Sequence, residues 1–134
     1  YADGGVGIEI NEIPQLFDSI PGSRDHEIKA DSARPETISY VANEGFPVVS
    51  CKKWNGSVQD GVSHLKAFRK IYIHPRCNRD VITEFQHYSY KKDRSSGNIL
   101  PVIVDAFNHY IDALRYSLED RITSTEIDWL KVVA

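Results

Sequence analysis

The stretch from Ile99 to Asp120 most constrains what this 134-residue chain folds into. At 100° per residue it reads as one amphipathic helix from about Asp105 onward. Phe107, Ile111, Leu114 and Leu118 fall on one side and need a core to face. Asp105, His109 and Asp112 fall on the other side, within about two turns. Two carboxylates and an imidazole on one face can share a divalent cation if another acid arrives from elsewhere in the fold. Asp31, just after the short apolar run ending at Ala30, is the candidate for that acid. The same spacing fits the polar face of any surface helix, which here also carries Arg115 and Glu119. Spacing alone leaves both open.

The length suits one domain with a real core. No apolar run is long enough to span a bilayer, and no signal peptide opens the chain. It begins at Tyr1 without an initiator Met, so a fragment, processed product or excised domain is expected. Cys51 and Cys77 have neither CxxC nor zinc spacing and read as reduced, structural thiols. The net charge of -3 hides an asymmetry. Residues 52–94 hold ten Lys/Arg against four Asp/Glu, whereas residues 1–51 hold three against nine. Overall acidity argues against a generic nucleic-acid coat. A basic middle between acidic ends fits a local phosphate-binding face beside a metal site, and equally a solvated basic surface.

Along the chain, Ile10, Ile13, Phe17 and Ile20 have helical spacing, with Asn11 as a possible cap, Pro14 in the first turn and Pro21-Gly22 as the stop. His26–Ala30 is a short candidate strand. Asp31 follows it and precedes a helix from Pro35 to about Asn43 that Gly45 ends. That order puts the carboxylate at the C-terminal edge of a sheet, where open α/β sheets place ligands; Asp31 as a simple helix cap is the alternative. Residues 46–51 are a second strand candidate. Ser57 is expected to cap a helix over Val58–Phe68. Lys70–His74, KIYIH, alternates cleanly and gives the strongest strand signal. Asn78–His87 reads as a helix with Val81, Ile82 and Phe85 inward, Tyr88–Tyr90 as a short strand, and Lys91–Asn98 as a polar turn with Gly97. Trp54, Tyr88 and Tyr90 read as packing residues. His64, His74 and His87 read as surface or structural residues. Strands alternating with helices imply an α/β layered fold.

Three stretches occur in a specific order: ADSARPETISYV from Ala30, KKWNGSVQDGVSHLKAFRKIYIHP from Lys52 and LPVIVDAFNHYIDALRYSL from Leu100. Together they resemble the C-terminal nuclease domain of tailed-bacteriophage terminase large subunits, the DNA-packaging motors, over about Gly7 to Asp120. The resemblance implies an RNase H-like fold, a mixed central sheet flanked by helices, expected here to lack its first strand or strands. Residues 1–120 would be an N-terminally incomplete nuclease domain and 121–134 a C-terminal tail. It also implies a two-metal DNA endonuclease using Mg²⁺ or Mn²⁺ to cut concatemeric viral DNA during genome packaging. Asp31 matches the family's strand-end acid and Asp112 its late-helix acid. His109 matches a ligand that some members use, and Asp105 is a further partner. The family's first-strand carboxylate has no match: the only earlier acids are Asp3, Glu9 and Glu12. A site lacking it is expected to bind metal weakly and to leave this piece poorly active.

The implied partners are double-stranded DNA, the portal protein, the small terminase subunit and an ATPase domain upstream in the same polypeptide. The implied location is the host cytoplasm at the procapsid, with no membrane association. No GxxxxGK[ST] occurs, so this chain is not itself the motor. Lys52, Lys53, Arg69, Lys70, Lys91, Lys92 and Arg94 are the candidates for holding the DNA backbone. The competing expectations are a non-catalytic DNA-clamping and portal-docking module, or another RNase H-like nuclease of resolvase or transposase type.

Overall fold

The structure is a computed structural model that describes residues 7–104 and 106–123. These residues fall into two compact units, 7–71 with 113–123, and 72–112. No helix among them is long and apolar enough to cross a membrane.

The first unit opens with a 3₁₀ turn, Ile10–Glu12, that runs into helix α1, Ile13–Asp18. Pro14 sits in the first turn, where its missing N–H has no helical partner to lose. The Glu9 N–H donates to the Glu12 carboxylate at 2.8 Å, so Glu9 and not Asn11 begins the element. Strand β1, Ile28–Ala30, pairs in parallel with β2, Val48–Ser50, in the register Ile28↔Val48 and Ala30↔Ser50. Between them runs helix α2, Pro35–Asn43, with the bounds the sequence implies. Pro35 starts it, and Gly45, at φ +88°, supplies the left-handed residue that turns the chain toward β2.

The core lies where α2 covers this ladder. Val41 (2% exposed), Phe46 (3%) and Val48 (9%) are buried against Ile13, Phe17, Ile28, Ile38 and Tyr40. The Phe17 and Phe46 rings meet edge-on at 5.5 Å. Arg24 lies 4.0 Å from the Phe46 ring centre. It also grips both Asp18 oxygens at 2.7 and 2.9 Å and donates to the Glu44 carbonyl at 2.9 Å. Burying Phe46 alone contributes about 1.5–3 kcal/mol.

Helix α3, Ser57–Ala67, buries Gly61, Val62 and Leu65. Ser57 is its first residue and not its cap; that position belongs to Gly56, whose φ of +91° a side chain would strain. Residues 70–74 do not form the expected strand. Ile71 and Tyr72 are 43% and 83% exposed, and among the described residues no strand pairs with KIYIH. Alternation alone makes no strand without a neighbouring strand to pair with.

In the second unit, helix α4, Arg79–His87, is capped by Asn78, whose side chain accepts from the Asp80 N–H at 3.0 Å. Val81 and Glu84 are its buried residues, while Ile82, expected inward, is 43% exposed. Strands β3, Tyr90–Lys92, and β4, Ile99–Ile103, form an antiparallel hairpin with an irregular register. At its turn one Asp93 oxygen accepts from the N–H and hydroxyl of both Ser95 and Ser96, at 2.7–2.9 Å. Those bonds, the Ser96 N–H first, pull the Asp93 carboxyl down to about 2.

Helix α5, His109–Ser117, begins four residues later than the periodicity implied. Phe107 has φ +54°, so the backbone there is not helical. Phe107 is 48% exposed, with its ring 5.2 Å from His87, and does not join the buried side of the helix. Ile111, at 2% exposed, does. Helical turns resume over 119–123. Of the expected 121–134 tail, residues 124–134 lie outside the described residues. Among the described residues the strands form one parallel ladder in the first unit and one antiparallel ladder in the second.

Candidate metal centre

Asp31 leaves β1 at its C-terminal end, where the parallel ladder stops pairing. One carboxylate oxygen accepts the Ala33 N–H at 2.9 Å and also bonds the Lys53 ammonium. The other accepts the Tyr116 hydroxyl, from the last turns of α5, at 3.3 Å. The N-cap position of α2 is Arg34, which makes no side-chain cap bond, and Asp31 lies three residues ahead of it. The ammonium is the largest influence holding the Asp31 carboxyl below its ordinary range, followed by the Ala33 N–H, with partial burial opposing. The same bond raises Lys53. Asp31 is therefore an ionised carboxylate already facing a cation, and the Lys53 ammonium also lies 5.6 Å from the Tyr116 ring centre. The carboxylate oxygens suit a hard metal ion by donor type, and such an ion would take the place the Lys53 ammonium holds at Asp31.

The second group of residues begins α5. Asp112 lies in its first turn and is half-buried, and His109 is exposed. The Asp112 N–H donates to the Asn108 carbonyl at 2.7 Å, and the Asn108 amide reaches the Asp112 carboxylate at 3.5 Å. Asn108 therefore sits at the helix entrance. The helix that carries His109 and Asp112 does not extend through residues 106–108, so helical periodicity relates those two residues alone. Asp105 itself lies outside the described residues. Among the described residues no group of three or more His, Cys, Asp or Glu side chains gathers as a cation cluster.

Glu84 was not singled out from sequence. It is 5% exposed, and its two oxygens accept from the backbone N–H groups of His109 (2.9 Å), Tyr110 (2.7 Å) and Ile111 (3.1 Å). These N–H groups lack partners within their own helix. A carboxylate there also meets the positive end of the helix dipole. The signal in the sequence was an acid three residues after the inward Val81, on a buried stripe where a charge needs strong partners.

Arg115 and Glu119, expected on a solvated polar face, are 6% and 3% exposed. Arg115 donates to the Ser57 carbonyl at 3.4 Å. Glu119 accepts the Lys52 N–H at 2.6 Å and pairs with the Lys29 ammonium at 2.9 Å. Glu27 first, then Glu119, raise Lys29. Trp54 donates its indole N–H to Asp60 at 2.7 Å, consistent with a packing role. Lys52, Lys53, Arg69 and Lys70 are exposed on the first unit, and Lys91, Lys92 and Arg94 on the hairpin of the second.

The family model of the terminase RNase H-like domain matches residues 17–120. The chain is similar to the PBSX phage terminase large subunit of Bacillus subtilis (strain 168), with 36% identity over 96 residues, 69% of this chain and 21% of the relative. It is also similar to the terminase large subunit of Bacillus phage SPP1, with 34% identity over 94 residues, 69% of this chain and 22% of the relative. The chain thus spans about a fifth of the length of these relatives. Among solved structures, the g2p (large terminase) nuclease domain from bacteriophage SPP1 with bound Mn has a TM-score of 0.75 and 26% identity, covering 86% of this chain and 65% of that one.

Proposed function

The chain belongs to the terminase RNase H-like domain family, and on that premise we propose that it is a divalent-metal-dependent DNA endonuclease domain of a phage terminase large subunit. Its work is the cleavage of concatemeric viral DNA during packaging. Its partners are double-stranded DNA, an ATPase domain of the same polypeptide, the portal and the small terminase subunit, in the host cytoplasm at the procapsid. The observation that carries this function is the ionised, cation-paired Asp31 at the end of β1, in a chain whose structural relative binds Mn.

A bound Mg²⁺ or Mn²⁺ pair supplies activation of water and neutralisation of charge on the phosphodiester and the leaving oxygen. Asp31 and Asp112 are the proposed carboxylate ligands, and His109 a ligand or orienter that favours Mn²⁺. Asp105 is the further metal partner proposed, from family resemblance alone. Lys53 keeps the Asp31 carboxylate charged and oriented. With Lys52, Arg69 and Lys70, and with Lys91, Lys92 and Arg94 on the hairpin, it is proposed to hold the DNA backbone.

Asp112→Ala is expected to abolish cleavage by the intact protein while leaving its thermal melt unchanged; nicking at the wild-type rate by that variant rejects the function. Replacing Lys91, Lys92 and Arg94 together by Gln is expected to weaken DNA binding at low salt. It should lower the slope of log affinity against log salt by roughly 0.9 per phosphate contact removed. An unchanged slope removes the hairpin from the footprint.

A further inference from the structure

We infer that Glu84 is a positioning residue for the metal centre: a carboxylate supplied by α4 that starts α5 and so fixes where His109 and Asp112 stand. The inference rests on the function proposed above. A helix ordinarily satisfies its first N–H groups with the residue just ahead of it. Here that residue is Asn108, whose amide nitrogen donates to the Asp112 carboxylate at 3.5 Å. Glu84, 25 to 27 residues earlier in the chain, takes over three consecutive N–H groups with its two oxygens. One of these N–H groups belongs to His109, and Asp112 follows Ile111 directly.

Glu84 is also the one polar member of the buried stripe of α4. A carboxylate 5% exposed is costly unless strongly bonded, and the bonds described for it all go to the start of α5. At this spot Leu would fill the space without a charge to satisfy, but it would leave three N–H groups buried without acceptors. Phe107, just upstream, is in the left-handed region, so the chain enters α5 through a bend that local helix propensity does not set. The helix therefore takes its starting point from Glu84. His109 and Asp112, in its first turn, take their orientation from it.

The test compares wild type, Glu84→Gln and Asp112→Ala in the full chain, with Mn²⁺ as the probe. Glu84→Gln keeps the shape and one acceptor oxygen but places an amide donor against backbone donors, and Glu84→Asp is the conservative control. Mn²⁺ affinity is measured by calorimetry, paramagnetic broadening at His109 by NMR, and amide exchange over residues 109–111 by hydrogen–deuterium exchange. Glu84→Gln is expected to melt cooperatively, to speed exchange at 109–111 and to lose about 10–100-fold in Mn²⁺ affinity, the usual cost of removing a group that orients ligands. Glu84→Asp is expected to recover part of that loss. Wild-type Mn²⁺ affinity in Glu84→Gln, alongside lost affinity in Asp112→Ala, overturns the inference and leaves the function standing. Unchanged Mn²⁺ affinity in Asp112→Ala overturns the function and the inference with it.

Discussion

The two units of this chain are stabilised by different means. In residues 7–71 with 113–123, apolar side chains dominate: Val41, Phe46 and Val48 are buried under α2, and Phe17, Ile28 and Ile38 close around them. Among the described residues of 72–112, Val81 and Ile111 are the buried apolar ones, while Ile82, Ile99, Val102 and Phe107 are exposed. Order in that unit depends on directed bonds from two carboxylates, Glu84 to the start of α5 and Asp93 to the hairpin turn. Apolar packing tolerates small displacements of the groups it buries, whereas a hydrogen bond fails within a few tenths of an ångström. The unit that carries His109 and Asp112 is the one built from the less forgiving interaction.

Three substitutions break or sharpen this contrast. Phe46→Ala has the largest expected effect on stability, about 3–5 kcal/mol by urea denaturation, because it empties the centre of the first unit and removes the surface under Arg24. Glu84→Ala is expected to cost about 1–3 kcal/mol, the penalty of orphaned buried donors, with faster exchange confined to 109–111. If that variant instead slows exchange there, the second unit is not held by directed bonds. Lys53→Met is the mildest, below about 1 kcal/mol, because the ion pair is exposed. By NMR titration it should move the Asp31 carboxyl upward toward its ordinary 3.8. The sign follows from the direction of each shift. The Asp31 half of the pair stabilises above the ordinary carboxylate value and is lost as pH falls through the lowered one. The Lys53 half is present below the ordinary lysine value and is lost as pH rises through the raised one.

What the sequence discloses follows the range of the interaction. The bounds of α2 are legible because Pro35 and Gly45 act on their own neighbours. Asp31 is legible as a strand-end acid, since a short apolar run and a helix start flank it. Its ammonium partner is not: Lys53 lies 22 residues away and looks like any basic loop residue. Periodicity starts α5 four residues early because Phe107 fits the apolar period, although Asn108 is a good cap residue just before His109. KIYIH shows the converse, a clean local pattern that no strand among the described residues pairs with. Arg115 and Glu119 sit on a polar-looking face that other charges and carbonyls bury, and no periodicity discloses that.

The surroundings of Asp31 also imply an order in time. Its partners lie 2, 22 and 85 residues away in the chain: Ala33, Lys53 and Tyr116. Closing a chain segment costs entropy that grows with the logarithm of its length, so the step from 22 to 85 residues costs about 1.2 kcal/mol more. Ile28 and Val48, 20 residues apart, pair within the same short span that brings Lys53 to Asp31. Loop-closure entropy therefore favours an order in which the acid is tethered by its own turn first, given its counter-ion next, and met by the tyrosine last. In that order the carboxylate at the proposed reaction centre is charge-compensated before the helix that completes its surroundings docks.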